Sequence, residues 1–214
     1  MNIHDPNELK EIYNAVWHGK NQVVNDLLQK GLPVNHLYAN GRTLVHVASW
    51  FNRAEILQTL LQKGGLPSLE DDTHCTPILL AIESKSFNSF KVLAQTRLQT
   101  PEAPFLINVV QGKQTTPLHE MARKNLLDWL VWSKHHNLID NIGLQDGEGN
   151  TLGHVAAQKK NWRLLQWVIQ QGLDVTVENN QGQTVSELNR GRTSSSRKQK
   201  TKTLSPEDAL ITNS

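Results

Sequence analysis

Cysteine is almost missing from this chain of 214 residues: Cys75 stands alone. A single thiol forms no intrachain disulfide and leaves no Cys-x-x-Cys pair for zinc or redox exchange. Long apolar runs are missing as well. The longest, such as residues 78–82, fall far short of the roughly 18–20 residues that a membrane-spanning helix requires. Residues 1–10 are polar and lack the basic and apolar regions of a secretory signal. There is no Gly-x-Ser-x-Gly, no Walker loop, no Gly-rich dinucleotide turn and no His-Glu-x-x-His. These absences predict a soluble, cytoplasmic protein of a reducing compartment. No catalytic residue, metal, cofactor, small-molecule substrate or membrane span is expected.

What the chain does have is one signature, repeated. The copies read Gly41-Arg42-Thr43-Leu44-Val45-His46-Val47-Ala48, His74-Cys75-Thr76-Pro77-Ile78-Leu79-Leu80-Ala81, Gln114-Thr115-Thr116-Pro117-Leu118-His119 and Gly149-Asn150-Thr151-Leu152-Gly153-His154-Val155-Ala156. A fifth, partial copy begins Gly182-Gln183-Thr184, and the threonines are spaced by 33, 40, 35 and 33 residues. Thr suits the capping position of a helix, and Pro77 or Pro117 suits the first helical position, where no N–H is needed. The small residues Ala48, Ala81 and Ala156 mark a packed face. Ala15, 33 residues before Ala48, reveals a degenerate first copy in which Lys10 takes the place of Thr. Second helices are predicted over residues 23–28, 56–61, 87–93, 127–132 and 164–169. Gly31, Gly64 and Gly172 end three of them in the left-handed conformation, and Gly41, Gly149 and Gly182 serve the turns. The interval of 40 places seven extra residues in a longer loop over 95–110, with Pro101 and Pro104. Ser89 and Met121 depart from the pattern.

A period near 33 with a Thr-Pro-Leu-His pattern resembles the ankyrin family, over about residues 7–189. The resemblance implies an all-α solenoid of helix-turn-helix units with β-turn fingers, about five repeats plus a partial C-terminal cap. The repeat domain spans 1–190, with repeats near 7–36, 39–69, 72–98, 112–140 and 146–177 and a partial one at 179–190. It also implies that His46, His119 and His154 hydrogen-bond backbone in neighbouring turns rather than bind metal. His135 and His136 are adjacent at a helix end, where they meet the helix dipole without facing each other. Cys75 sits in a finger turn beside His74, with no oriented base or oxyanion hole.

Charge is unevenly divided. Six basic residues (Arg190, Arg192, Arg197, Lys198, Lys200, Lys202) against Glu207 and Asp208 give the end of the chain +4, while the rest carries −2. A near-neutral body does not suit a phosphate backbone, so nucleic acid is not the expected partner. Residues 191–214 read as a disordered basic tail. It is a solubilising end, a weak nuclear-import run at Arg197-Lys198-Gln199-Lys200, or a source of affinity for acidic partners or membrane surfaces. Residues 206–214 loosely resemble export signals of ankyrin-repeat effectors secreted by intracellular bacteria, which would put the protein in a host cell.

Six tryptophans divide by register. Trp129, Trp132, Trp162 and Trp167 fall in second helices and are expected to pack in the core. Trp17 and Trp50 follow the small Ala by two residues, and the column continues as Glu83, Arg123 and Gln158. In the family this column faces the concave groove and contacts partners; the alternative is that both indoles fold over the solenoid's edge. The first finger tip adds Leu37 and Tyr38, and the next, residues 70–73, is acidic. The expected partner site therefore comprises Trp17, Trp50, Leu37, Tyr38, Glu83 and Arg123. Asn35 resembles the ankyrin asparagine modified by oxygen-dependent hydroxylases. The function implied is a noncatalytic, monomeric protein-interaction module; the alternative is a subunit that inhibits or recruits an enzyme.

Overall fold

The first helix begins where a cap and a proline coincide. Asp5 accepts a hydrogen bond from the Asn7 N–H at 2.9 Å, and Pro6 occupies the first helical position. This computed structural model describes residues 5–96, 105–108 and 114–189. The tip at 111–113, the tail at 191–214 and most of the expected loop at 95–110 lie outside the described residues.

Eleven α-helices are present among the described residues: α1 (Pro6–His18), α2 (Asn21–Gln29), α3 (Leu44–Trp50), α4 (Ala54–Gln62), α5 (Pro77–Glu83), α6 (Phe87–Ala94), α7 (Pro117–Arg123), α8 (Leu127–His135), α9 (Leu152–Gln158), α10 (Trp162–Gln170) and α11 (Val185–Asn189). They form five inner–outer pairs followed by one short inner helix; the inner helices stack on one another along the series, and among the outer helices α2 stacks on α4 and α4 on α6. Glu178 and Thr184 form an antiparallel β-bridge. No described helix is long and apolar enough to cross a membrane.

Thr43, Thr76, Thr116 and Thr151 stand at the N-caps of α3, α5, α7 and α9, and Pro77 and Pro117 open α5 and α7. Gly31, Gly64 and Gly172 follow the outer helices at φ 89, 87 and 86°, the left-handed stop that glycine adopts without strain. The core is one continuous seam. Ile12, Leu44, Ile78, Leu118 and Leu152 from inner helices meet Leu27, Leu57, Phe90, Leu130 and Val168 from outer ones. Each large side chain buried there contributes roughly 1.5–3 kcal/mol, and only because the neighbouring pair covers it.

Two expectations need correction. Lys10 does not cap α1; it is exposed in mid-helix, because Asp5 and Pro6 start the helix a turn earlier. Trp162 is not core: as the first residue of α10 it is 59% exposed. Ser89 and Met121 are both accommodated. Met121 is fully buried, and buried Ser89 bonds back one layer, its Oγ to the Ala48 carbonyl at 3.2 Å and its N–H to Asn52 Oδ1 at 3.1 Å.

Candidate partner-binding surface

Each finger closes on a backbone bond between residues four apart. Tyr38, Asp71, Asp146 and Asn179 occupy the same slot, donating N–H to the carbonyls of Arg42, Cys75, Asn150 and Gln183 at 2.8–3.0 Å. In three of the four the side chain also caps the turn. Asp71 Oδ1 accepts from the N–H groups of Thr73 and Cys75, Asp146 Oδ1 from Glu148 and Asn150, and Asn179 Oδ1 from Gln181 and Gln183. Burial alone would raise the Asp71 pKa, but these bonds together with Arg42 Nε at 3.1 Å hold it below the usual carboxylate value.

Tyr38 is the exception, because a phenol ring does not reach its own turn as a carboxylate does. It turns towards α1 instead, where its ring lies 5.0 Å from Tyr13 and 4.8 Å from His36. Tyr13 in turn meets Trp17 edge-on at 6.2 Å, and Trp17 stacks on Phe51 at 4.8 Å and 19°. A row of rings therefore runs from His36 through Tyr38, Tyr13 and Trp17 to Phe51, linking the first finger to the second helix pair. Its outer flank is open: Trp17 is 42% and Leu37 60% exposed. Pro6, Leu9, Tyr13, His36, Tyr38 and Ala39 line a groove of about 450 Å³ beside it. The Tyr38 hydroxyl is buried with no hydrogen-bond partner among the described residues, and burial raises its pKa well above that of an ordinary phenol.

The residues singled out in the sequence are distributed as follows. Trp17, Leu37 and Tyr38 belong to this aromatic ledge. Trp50 is half-buried with the Arg42 guanidinium over its ring at 5.7 Å, so the ring that continues Trp17 is Phe51 rather than Trp50. Glu83 is exposed on the inner-helix column. Arg123 is not free for a partner. Its guanidinium pairs with Glu120 at 2.9 Å and with Asp146 of the following finger, and donates to Thr115 Oγ1 at 2.7 Å. Asn35 is held on both sides, donating to the Gly64 carbonyl and accepting from the Leu66 N–H at 2.9 Å each. Sequence reading missed Tyr13, Phe51 and His36; the spacing of Tyr13 and Trp17, one helical turn apart, was the available signal.

The three signature histidines have a structural role. Their Nε2 atoms reach one finger forward, to the carbonyls of Cys75, Asn150 and Gln183 at 3.3, 2.8 and 2.9 Å. Nδ1 of His46 and His154 accepts the N–H of Thr43 and Thr151 at 3.1 Å, which fixes the proton on Nε2. No group of three or more metal-ligating side chains occurs among the described residues. Cys75 is a buried free thiol. His136 stacks on Trp132 at 4.2 Å and its Nδ1 lies 2.8 Å from the Trp132 carbonyl, a bond within α8.

Residues 12–102 match the family described as Ankyrin repeats (3 copies). The chain is 31% identical over 103 residues, 48% of its length, to the Neurogenic locus Notch protein of Drosophila melanogaster. It is 23% identical over 220 aligned residues, 86% of its length, to the human transient receptor potential cation channel subfamily A member 1. It spans only 4% and 20% of those two proteins. Among solved structures, the ankyrin repeat domain of Bcl-3, of the IkappaB family, superposes with a TM-score of 0.72 at 21% identity, covering 83% of this chain and 76% of that one. A chain from the complex of a predatory endopeptidase of Bdellovibrio bacteriovorus with an immunity protein gives 0.64 at 20% identity, covering 88% and 97%.

Proposed function

The chain belongs to the ankyrin-repeat family, and we propose that it is a noncatalytic module that binds a partner protein on the aromatic ledge of its first two repeats. The five helix pairs are taken as five repeats and α11 as a partial cap. The observation that carries the reading is the stacking of Trp17 on Phe51 while 42% of the indole faces solvent. A large ring is thus held rigid by a packed neighbour, with little ordering left to be lost on binding. Leu37 and Trp50 flank it, and buried tryptophans commonly contribute about 2 kcal/mol or more at an interface.

The test is a photo-crosslinking residue placed at position 37, identification of the captured protein, and titration of that protein against variants. Trp17→Ala is expected to weaken binding about thirtyfold or more, with the melting temperature lowered by only a few degrees. Trp50→Ala is expected to weaken binding similarly but to cost more stability, since Arg42 covers it. If Trp17→Ala spares affinity, the acidic tip at residues 70–72 becomes the next candidate. On the same family reading, Asn35 accepts an oxygen atom in cells that hold asparaginyl hydroxylases; an unmodified Asn35 peptide recovered from such cells rejects that.

A further inference from the structure

Every helix pair turns at the edge opposite its finger, and these turns stack. Arg53 Nε and Nη2 reach the Trp17 carbonyl at 3.0 and 2.9 Å, Ser86 Oγ reaches the Trp50 carbonyl at 2.8 Å, and Asn161 Nδ2 reaches Asn125 Oδ1 at 2.7 Å. Along the last three turns Lys85, Lys124, Lys159, Lys160 and Arg163 are all exposed. The salt bridges among the described residues engage Arg42, His74 and Arg123 instead, and none of them joins these five cations to a carboxylate. Glu83 and Asp128 are the exposed acids nearby. The finger edge carries the opposite sign, with Glu70, Asp72, Glu148 and Glu178 exposed. The near-neutral body therefore hides a segregated charge.

Apolar groups lie at the basic edge and beside it. Trp162 opens α10 there at 59% exposure; away from the edge, on the adjoining outer helices, Ile169 near the other end of α10 is 49% and Val131 in α8 42% exposed. The chain's end points the same way. α11 packs alongside α9 and, like it, runs from its finger towards this edge. In the sequence, Asn189 is followed by six basic residues over 190–202.

We propose that the last three turns of this edge are a peripheral docking surface for an anionic lipid bilayer, at the other end of the stack from Trp17 and Phe51. Cations drawn to acidic headgroups gain affinity with each Lys or Arg near the surface, and an indole beside them suits the headgroup level. A nucleic acid would use the cations but leave Val131 and Ile169 in water, whereas a lipid surface uses both kinds of group. That difference decides the occupant.

The experiment is co-sedimentation of the full chain with phosphatidylcholine vesicles, with and without phosphatidylserine, at low and high salt. The readout uses lipid alone and is independent of any protein partner. Association is expected only with phosphatidylserine and should fall as salt rises. A variant carrying K159E, K160E and R163E is expected to lose about tenfold or more in partition, and Trp162→Ala several-fold, both with unchanged melting temperature. No phosphatidylserine-dependent association, wild-type partition by the charge-reversed variant, or displacement of the protein from vesicles by duplex RNA or DNA at lower concentration than lipid would overturn the proposal.

Discussion

His119 donates its Nε2–H to the carbonyl of Asn150, one finger further along, at 2.8 Å. Its Nδ1 lies 2.7 Å from Thr116 Oγ1, so both ring nitrogens are engaged within a buried site. Burial outweighs the attraction of Asp146 and lowers the pKa to about 4; His46 shifts in the same direction for the same reason.

A pH dependence follows. The unfolded chain takes up these protons near pH 6.5, whereas folded His119 refuses one until about pH 4. The unfolded state binds more protons in that window, so stability is full above it and falls as pH drops through it. Asp71 is shifted in the same direction, but its contribution is lost only at lower pH, as pH falls below the ordinary carboxylate value. Thermal melts across this range should show the first loss in wild type, and a shallower slope in His119→Gln.

The junction between the third and fourth helix pairs is held differently. Leu79 stands where the second, fourth and fifth pairs have histidine. A buried 3-10 turn, Leu106–Asn108, packs there, with Asn108 Nδ2 bonded to the Leu138 carbonyl at 2.7 Å and to Asp140 at 2.8 Å. Asn108→Ala removes a buried partner and is expected to cost about 1–3 kcal/mol. Amide exchange should quicken first in α7 and α8; uniform loss across all helices would reject a local role.

Overpacking tests the shared seam. Ala48 and Ala156 are both fully buried between inner helices. Replacing either with Leu is expected to lower stability by about 1–3 kcal/mol, read as a shifted denaturation midpoint.

Glycines in the fingers and at the outer-helix ends should differ in tolerance. A Cβ on Gly149, at φ 74°, would lie 2.7 Å from the Asn180 backbone nitrogen, whereas on Gly31, at φ 89°, it meets nothing within 4 Å. Both alanines carry left-handed strain of about 1 kcal/mol. Gly149→Ala should therefore destabilise clearly more than Gly31→Ala in parallel urea titrations.

The parts legible in sequence were those set by nearest neighbours along the chain. Thr43, Thr116 and Thr151 with their histidines announced the inner helices, because the cap and the ring that answers it are three residues apart. Asp5-Pro6 carried an equally local signal that register with Lys10 obscured. What sequence concealed depends on the fold's third dimension. Trp162 shares a helix with buried Leu165 and half-buried Trp167, and only its place on the first turn turns it outward. Arg123 looked free because its partner Asp146 is 23 residues away. The aromatic ledge was half visible: Trp17 and Tyr38 were singled out in the sequence, but the rings that join them, Tyr13 and Phe51, needed the stacking of two layers.

The forward reach of the histidines has a consequence for synthesis. His46, His119 and His154 find their acceptors 29, 31 and 29 residues later. On a growing chain each of these rings stays unanswered until the next finger has left the ribosome, so a unit that carries one is completed by its successor and never by itself. The turn ahead of α11 is such a successor: its Gln183 carbonyl answers His154.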